Sequence, residues 1–434
     1  MKERTMGPQY LDHKGRPLVA VTGMGIVTSL GRGKQDNWSK LTSGASGIRT
    51  ITRFPIDGLR TTIAGTVESR TPQPYSAYEL ASEIAEDAIA EALTEAGLDN
   101  GEAFGGPLFI ATPPSEFEWP MLSHLYRQGP QIEGASAYGR MLAAARTGQH
   151  GELARHLEFA SIADRLRVRF GTTGEPISLC TACASGASAI QMGLEAIRRG
   201  ETQKALCAAT DATVHPEGLI RFSLLSALST KNDPPSKASK PFSRNRDGFV
   251  IAEGAGALVL ESLSSAEARG AEILGIVLGC GEKADDYHRT RSKPDGTAII
   301  GAIRGAMQDA GVETIDYVNA HGTSTPENDK MEYFSLRAVL GDRLERIPVS
   351  SNKSMVGHTL IAAGAVEAVF SLLTLRHGVL PPTLNYDEPD PELPLDVVPR
   401  TSRPAEVNTV LSNSFGFGGQ NACVVFSSLQ EAVS

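Results

Sequence analysis

Apolar residues first gather at positions 17–21, a continuous run that predicts a buried strand, and Thr22-Gly23-Met24-Gly25 behind it predicts a glycine turn with a helix to follow. Between positions 79 and 96, Ala, Leu and Ile recur at helical spacing with acids between them, and Gly97 stands where such a helix would end. Positions 107–111 read as the next buried strand, 184–199 as a helix, and 205–209 and 256–261 as strands. From position 273 the scheme restarts: strand at 273–278, helix at 297–310, strand at 315–319, helix at 364–375, and closing strands at 407–411 and 422–426. Two successive α/β halves, each rich in apolar strands, predict a largely parallel sheet system covered by helices. The expected boundaries are an N-terminal extension over 1–17, a first half over 18–265 and a second over 266–430. Within the first half, 112–177 is a long excursion: 113–120 reads as loop, and 141–169 as amphipathic helix with glycine breaks.

Composition narrows the class. With 434 residues, 41% hydrophobic and 21% charged, the chain is long enough to bury a substantial core and has no signature of disorder. A net charge of −9 argues against a general nucleic-acid binder. Arg165, Arg167 and Arg169 form a local basic string, read as a solvated helix face or as a patch for an acidic partner. Five cysteines, an odd number and few for this length, argue for a reducing compartment. No apolar leader stands at positions 1–17 and no later segment reads as a membrane span, so the expected location is the cytoplasm, without membrane insertion.

Four clusters can carry chemistry. Cys180-Thr181-Ala182-Cys183-Ala184-Ser185-Gly186 lies between a strand and a helix, where small residues permit a sharp turn. There a cysteine feels the positive end of the helix dipole and its free N–H groups, which favours thiolate and offers an oxyanion site. Cys183 as a small core residue, or Cys180 and Cys183 as a redox or metal pair, are the alternatives, and no second pair follows to complete a metal site. Asn319-Ala320-His321-Gly322-Thr323-Ser324-Thr325 follows an apolar strand, at the edge where α/β sheets hold ligands. His321 there is either catalytic or a structural hydrogen-bonding group, and the hydroxyls of Thr323 and Thr325 suit an amide-bearing ligand. Lys353 and His358 flank Gly357 ahead of a small-residue helix bearing Glu367, a partner for Lys353 in an ordinary ion pair. Last, Phe415-Gly416-Phe417-Gly418-Gly419 reads as a pocket-gating loop or a simple hairpin turn.

These strings in this order resemble the β-ketoacyl-acyl carrier protein synthases of the decarboxylating Cys-His-His type, from about Val19 to about Phe426. Further matching stretches run from Pro241 through Phe249 and from Glu253 to Gly256. The resemblance implies an acyltransferase of the thiolase fold, two similar α/β halves in a five-layered α-β-α-β-α arrangement. It implies a decarboxylative Claisen condensation in fatty acid elongation: an acyl group held as a thioester on Cys183, and His321 and His358 stabilising the enolate from malonyl-acyl carrier protein. Lys353, partnered by Glu367, would tune that site. The N–H groups of Cys183 and Phe415 would form the oxyanion hole, Phe415 would gate the acyl tunnel, and Phe249 would shield the malonyl carboxylate. Thr323 and Thr325 would bind the phosphopantetheine arm, which belongs to the carrier protein, so no metal and no organic cofactor are implied. Acyl- and malonyl-loaded carrier proteins are the implied partners, and the implied assembly is a homodimer.

A degradative thiolase would want a second cysteine at the C-terminal glycine loop, and a Cys-His-Asn condensing enzyme an asparagine at position 358. A non-catalytic partner of the chain-length-factor kind would lack the nucleophile; a polyketide-type ketosynthase would keep it. Thr112-Pro113-Pro114-Ser115-Glu116 departs from the glycine-rich turn expected of the family, and Asn352 and Ile361 stand where threonine and glycine are more usual.

Overall fold

The strand that begins at Val19 does not stop at the glycines. In the computed structural model, which describes residues 7–72, 75–99, 101–114, 116–129 and 134–433, β1 runs over Val19–Thr28, buried throughout. The expected turn at Gly23 and Gly25 is a seat for α1 (Ala77–Glu95): a Cβ on either glycine would lie 2.0 Å from the carbonyl oxygen of Ala92 or Ala88. Glu95 and Glu91 of α1 accept the Met24 and Ile26 N–H groups at 2.9 Å each, so the strand's polar groups are satisfied by the helix lying on it. Ser76 and Glu79 form a capping box that starts α1.

The first half continues through β2 (Leu108–Ala111), β3 (Ile177–Leu179), α2 (Ser185–Arg198), β4 (Lys204–Asp211), α3 (Pro216–Leu224) and β5 (Gly254–Ser262). The second contains β6 (Gly275–Ala284), α4 (Thr297–Ala310), β7 (Tyr317–Asn319), α5 (Pro326–Leu340), β8 (Pro348–Ser350), α6 (Ala363–His377), β9 (Thr409–Phe415) and β10 (Gln420–Ser427). Spatial order is β3-β2-β4-β5-β1 in the first and β8-β7-β9-β10-β6 in the second, the same permutation twice. The device under β1 is repeated too: Cβ atoms on Gly279 and Gly281 of β6 would come within 2.3 and 2.2 Å of α4 backbone. Each half pairs β2 with β3 and β4, or β7 with β8 and β9, in parallel, and its other neighbours antiparallel, so the sheets are evenly mixed rather than largely parallel. The reason is local in the second half, where a hairpin joins β9 to β10. Antiparallel pairing of Val19–Val21 with Gly275–Val277 joins the halves edge to edge.

Layering follows from which faces are apolar. α1 covers one sheet and α4 and α5 the other, while α2 and α6 lie between the sheets, their Ile190, Leu194, Val369 and Phe370 in the central core. That is the five-layered arrangement. Leu360–His377 meets the length and hydropathy of a membrane span, which the sequence reading denied of any segment, but 83% of it is buried within the protein. Its apolarity reflects burial in the middle layer on all sides.

The two central helices meet at their first turns. A Cβ on Gly186 would lie 2.4 Å from the Ala365 nitrogen, and one on Gly364 2.5 Å from the Ala187 nitrogen. Backbone cannot yield as a side chain does, so Gly364→Ala is expected to lower stability by about 1–3 kcal/mol. It should also drop turnover by on the order of tenfold or more through displacement of the residues ahead of both helices. Thermal unfolding with steady-state kinetics checks this; unchanged turnover would mean that the crossing does not set the site.

Among the described part of the extension, Lys14 and Arg16 pair with Asp309 at 3.0 and 2.8 Å, fastening it to α4. Residues 1–6 and Ser115 lie outside the described residues. The excursion is more helical than its loop-like start predicts: Trp119–Gln128 is a helix because Pro120 sits in its first turn, where a missing N–H does no harm. The helix expected over 141–169 breaks into Ala137–Ala145, Gly151–Ala154 and Ser161–Phe170. On the last, Arg165 and Arg169 pair with Glu86 and Arg167 with Glu175, a solvated, paired face.

Candidate active site

Cys183 stands between β3 and α2, after a backbone turn made possible by a small residue: Ala182 has φ of 50°. Ser185 fastens the elbow, its hydroxyl accepting the Thr181 N–H at 2.7 Å and donating to the Ala182 carbonyl at 2.5 Å. In the equivalent place of the second half, between β8 and α6, stands His358. Because the helices cross at Gly186 and Gly364, the two loops face each other, and the Cys183 sulfur lies 3.1 Å from His358 Nε2.

The third member arrives from the end of β7. His321 lies with its ring centroid 5.3 Å from that of His358, nearly perpendicular, and the thiol and both imidazoles offer donor atoms within 4.8 Å of one another. Its loop is held by a residue the sequence reading missed. Glu332 of α5, fully buried, accepts the main-chain N–H groups of His321 and Gly322 at 2.8 and 2.7 Å and the Asn413 amide at 3.0 Å. The available signal was periodicity: Asp329, Glu332 and Leu336 share a buried helical face, and an acid on such a face needs partners.

Behind the histidines, Lys353 and Glu367 form a buried ion pair. Burial pushes the Glu367 carboxyl up to about 7, against the opposing pull of Lys353. Asn319 ties this pair to the loop, donating to the Glu367 carbonyl at 2.9 Å and to Ser371 at 3.0 Å, and Asn352 donates to Asn319 at 3.0 Å. Asn352 is thus built into the network. Ile361 is held too, its N–H donated at 3.2 Å to Asp211, a buried acid also missed.

Burial, and after it the charge of Lys353, holds both imidazoles well below their usual range, so they are neutral at pH 7. Burial also pushes the Cys183 thiol up to about 12, although Lys353 and the Phe417 N–H pull it down. Desolvation of the sulfur thus opposes the thiolate expected at the helix start. Alkylation of Cys183 by iodoacetamide should rise about tenfold per pH unit from 7 to 10 without levelling. A plateau below pH 8 in a pH-rate profile would contradict this.

Three phenylalanines close the floor: Phe249 lies 5.2 Å from His358, Phe222 5.5 Å from Phe249, and Phe415 5.6 Å from His321. The ring of Phe415 faces His321, and the Phe417 N–H, two residues on, draws the Cys183 thiol down, so both phenylalanines of the loop border the sulfur. A cavity of about 510 Å³ runs from Cys183 and the histidines past Thr323 and Thr325 to an exposed rim. The two threonine hydroxyls are 2.9 Å apart, and Thr325 also caps α5.

Comparison with known proteins decides the family. The N-terminal domain of beta-ketoacyl synthases matches residues 17–266, and their C-terminal domain matches residues 274–387. The chain belongs to the beta-ketoacyl synthase family. This enzyme is a decarboxylative condensing ketosynthase, an acyltransferase, and its relatives divide between fatty acid and polyketide synthesis. It is 37% identical to the tetracenomycin polyketide synthase ketoacyl synthase alpha subunit of Streptomyces glaucescens, covering 96% of this chain and 98% of that one. Against the 3-oxoacyl-[acyl-carrier-protein] synthase 2 of Coxiella burnetii the identity is 34%, over 94% and 98%. Among solved structures, the ketosynthase assembly AntDE:AntF, a type II polyketide acyl-carrier protein in complex with its hexaketide-bound ketosynthase, superposes with a TM-score of 0.85. It is 30% identical over 95% of this chain and all of that one. The ishigamide ketosynthase/chain length factor gives 0.81 at 34% identity, covering 95% of this chain and 99% of that one.

Proposed function

We propose that Cys183 takes an acyl group from acyl carrier protein, and that His321 and His358 direct its condensation with malonyl-acyl carrier protein. The observation that carries this is the 3.1 Å approach of the Cys183 sulfur to a neutral, buried His358 beside His321. In the first half-reaction the thiol, protonated at rest, gives its proton to His358 as its sulfur attacks the incoming thioester. The carrier thiol leaves with that proton, and the acyl group stays on Cys183. In the second, the malonyl C–C bond breaks, CO₂ departs, and the electron pair moves onto the thioester oxygen. Two imidazole N–H donors meet the charge as it develops. The carbanion attacks the Cys183 thioester, whose oxyanion is held by the N–H groups of Cys183 and Phe417, and collapse expels the sulfur as thiolate, which takes up a proton from solvent to restore the resting thiol. Phe249 keeps water from the departing carboxylate, and burial, with the positive charge of Lys353, holds both imidazoles neutral.

The product is a β-ketoacyl-carrier protein, in fatty acid elongation as the first reading. Polyketide-type condensation with a chain-length-factor-like partner is the second. It is favoured by the 37% identity to a polyketide alpha subunit and the likeness to a ketosynthase/chain length factor. In either case a partner subunit would cover the outer edge of β3, where Ile177 is 42% exposed, a second copy in the first reading. We place the enzyme in the cytoplasm, with its cysteines reduced.

Intact-protein mass spectrometry after incubation with acyl- and then malonyl-carrier protein tests the reading. A thioester mass on the enzyme that vanishes as β-ketoacyl product forms is expected; no adduct with any acyl donor would overturn it. Sedimentation of the chain alone separates a self-paired enzyme from one that needs another subunit.

A further inference from the structure

We propose that Arg291 holds the phosphate of the phosphopantetheine arm at the mouth of the cavity, a site that rests on the condensing reading above. An arm whose thioester reaches Cys183 presents two amides next, matched by the Thr323 and Thr325 hydroxyls, and then a phosphodiester at the protein surface. The cavity ends where that charge would emerge, and Arg291 lines it there, exposed. Among the described residues it has no ion pair and no side-chain hydrogen bond, whereas Lys293 pairs with Asp295 at 3.5 Å, Arg246 with Asp390 at 2.7 Å and Arg244 with Glu388 at 3.3 Å; Arg289, the other cation of the loop without an ion pair, does not line the cavity.

The loop carrying Arg291 is ordered before any ligand arrives. Asp285 accepts the Tyr287 and Lys293 N–H groups at 2.8 and 2.7 Å, and His288 Nδ1 accepts the Thr290 N–H at 3.1 Å. Two main-chain bonds fasten the loop to the glycines beyond Phe417: Gly418 N–H to Arg289 O at 2.8 Å, and Asp285 N–H to Gly419 O at 2.7 Å. The backbone that carries Arg291 is thus held against the glycine loop beside Cys183, so binding has to fix the side chain alone. Its planar fork suits phosphate oxygens. Two acids line the cavity: Asp247 is occupied, accepting from the Ser229 hydroxyl at 2.7 Å and from the Thr230 N–H at 3.2 Å, and Glu327 stands exposed in the first turn of α5, where solvent screens its charge.

The test compares malonyl-phosphopantetheine with malonyl-pantetheine, identical but for the phosphate and free of both carrier protein and nucleotide. The readout is the ratio of kcat/KM values for decarboxylation. The intact enzyme should favour the phosphorylated arm by roughly tenfold, Arg291→Ala should bring the ratio to within about twofold of unity, and Arg291→Lys should retain part of it. Arg289→Ala, a cation on the same loop outside the cavity lining, should leave the ratio as it is. A ratio equal in Arg291→Ala and the intact enzyme, or no preference in the intact enzyme, overturns the assignment. Failure of the intact enzyme on every malonyl thioester, carrier-bound ones included, would instead overturn the condensing reading itself.

Discussion

Replacing Cys183 by alanine is expected to abolish condensation, by on the order of 10⁵-fold or more, while leaving decarboxylation of malonyl-carrier protein measurable. The two outcomes separate because the acyl group needs the sulfur, whereas the enolate needs only the imidazole N–H donors, and neither His321 nor His358 depends on the thiol for position. His358 is held through its main chain, donating its N–H to the Val250 carbonyl at 2.7 Å and accepting the Ala252 N–H at 2.9 Å. His321 is held by Glu332. Intact mass should show no acyl adduct, and release of labelled CO₂ should continue. Loss of CO₂ release together with the adduct, in a variant of unchanged thermal stability, would show that sulfur and imidazoles act as one unit.

The second large effect belongs to His358. This imidazole touches the sulfur and lies on the cavity floor, so His358→Ala should slow both acylation of Cys183 and decarboxylation, the latter by about 10²–10³-fold. His321→Ala, lacking the sulfur contact, should reproduce the decarboxylation defect while acylation stays within a few-fold of the intact enzyme. Burst-phase adduct formation measured beside CO₂ release distinguishes the two. Equal acylation rates in both variants would remove His358 from proton transfer.

Most elements were legible because their pattern is strong: the helix at 297–310 occurs as expected, and the strands at 205–209 and 256–261 lengthen by one or two residues at each end. What escaped was what depends on close approach. Gly23 and Gly25 look like a turn in a string of letters, and only the helix resting on them explains their lack of side chains. Cys183, His321 and His358 are legible because their neighbours are distinctive, yet the desolvation that opposes a thiolate at Cys183 is not. A helix start can be read from sequence, but the depth at which the sulfur lies cannot. Glu332 and Asp211 were missed for a related reason: each acts by accepting main-chain N–H groups of a distant segment, which leaves no motif.

The repeated strand order says something about descent. Cys183 precedes α2 after the third strand of the first half, and His358 precedes α6 after the third strand of the second, so nucleophile and imidazole occupy one address in two copies of a single ancestral plan. A symmetric pair of identical units would have to place the same residue at both addresses. Joining the copies in one chain freed each address to mutate alone, and the division of labour between sulfur and nitrogen is what that freedom allowed.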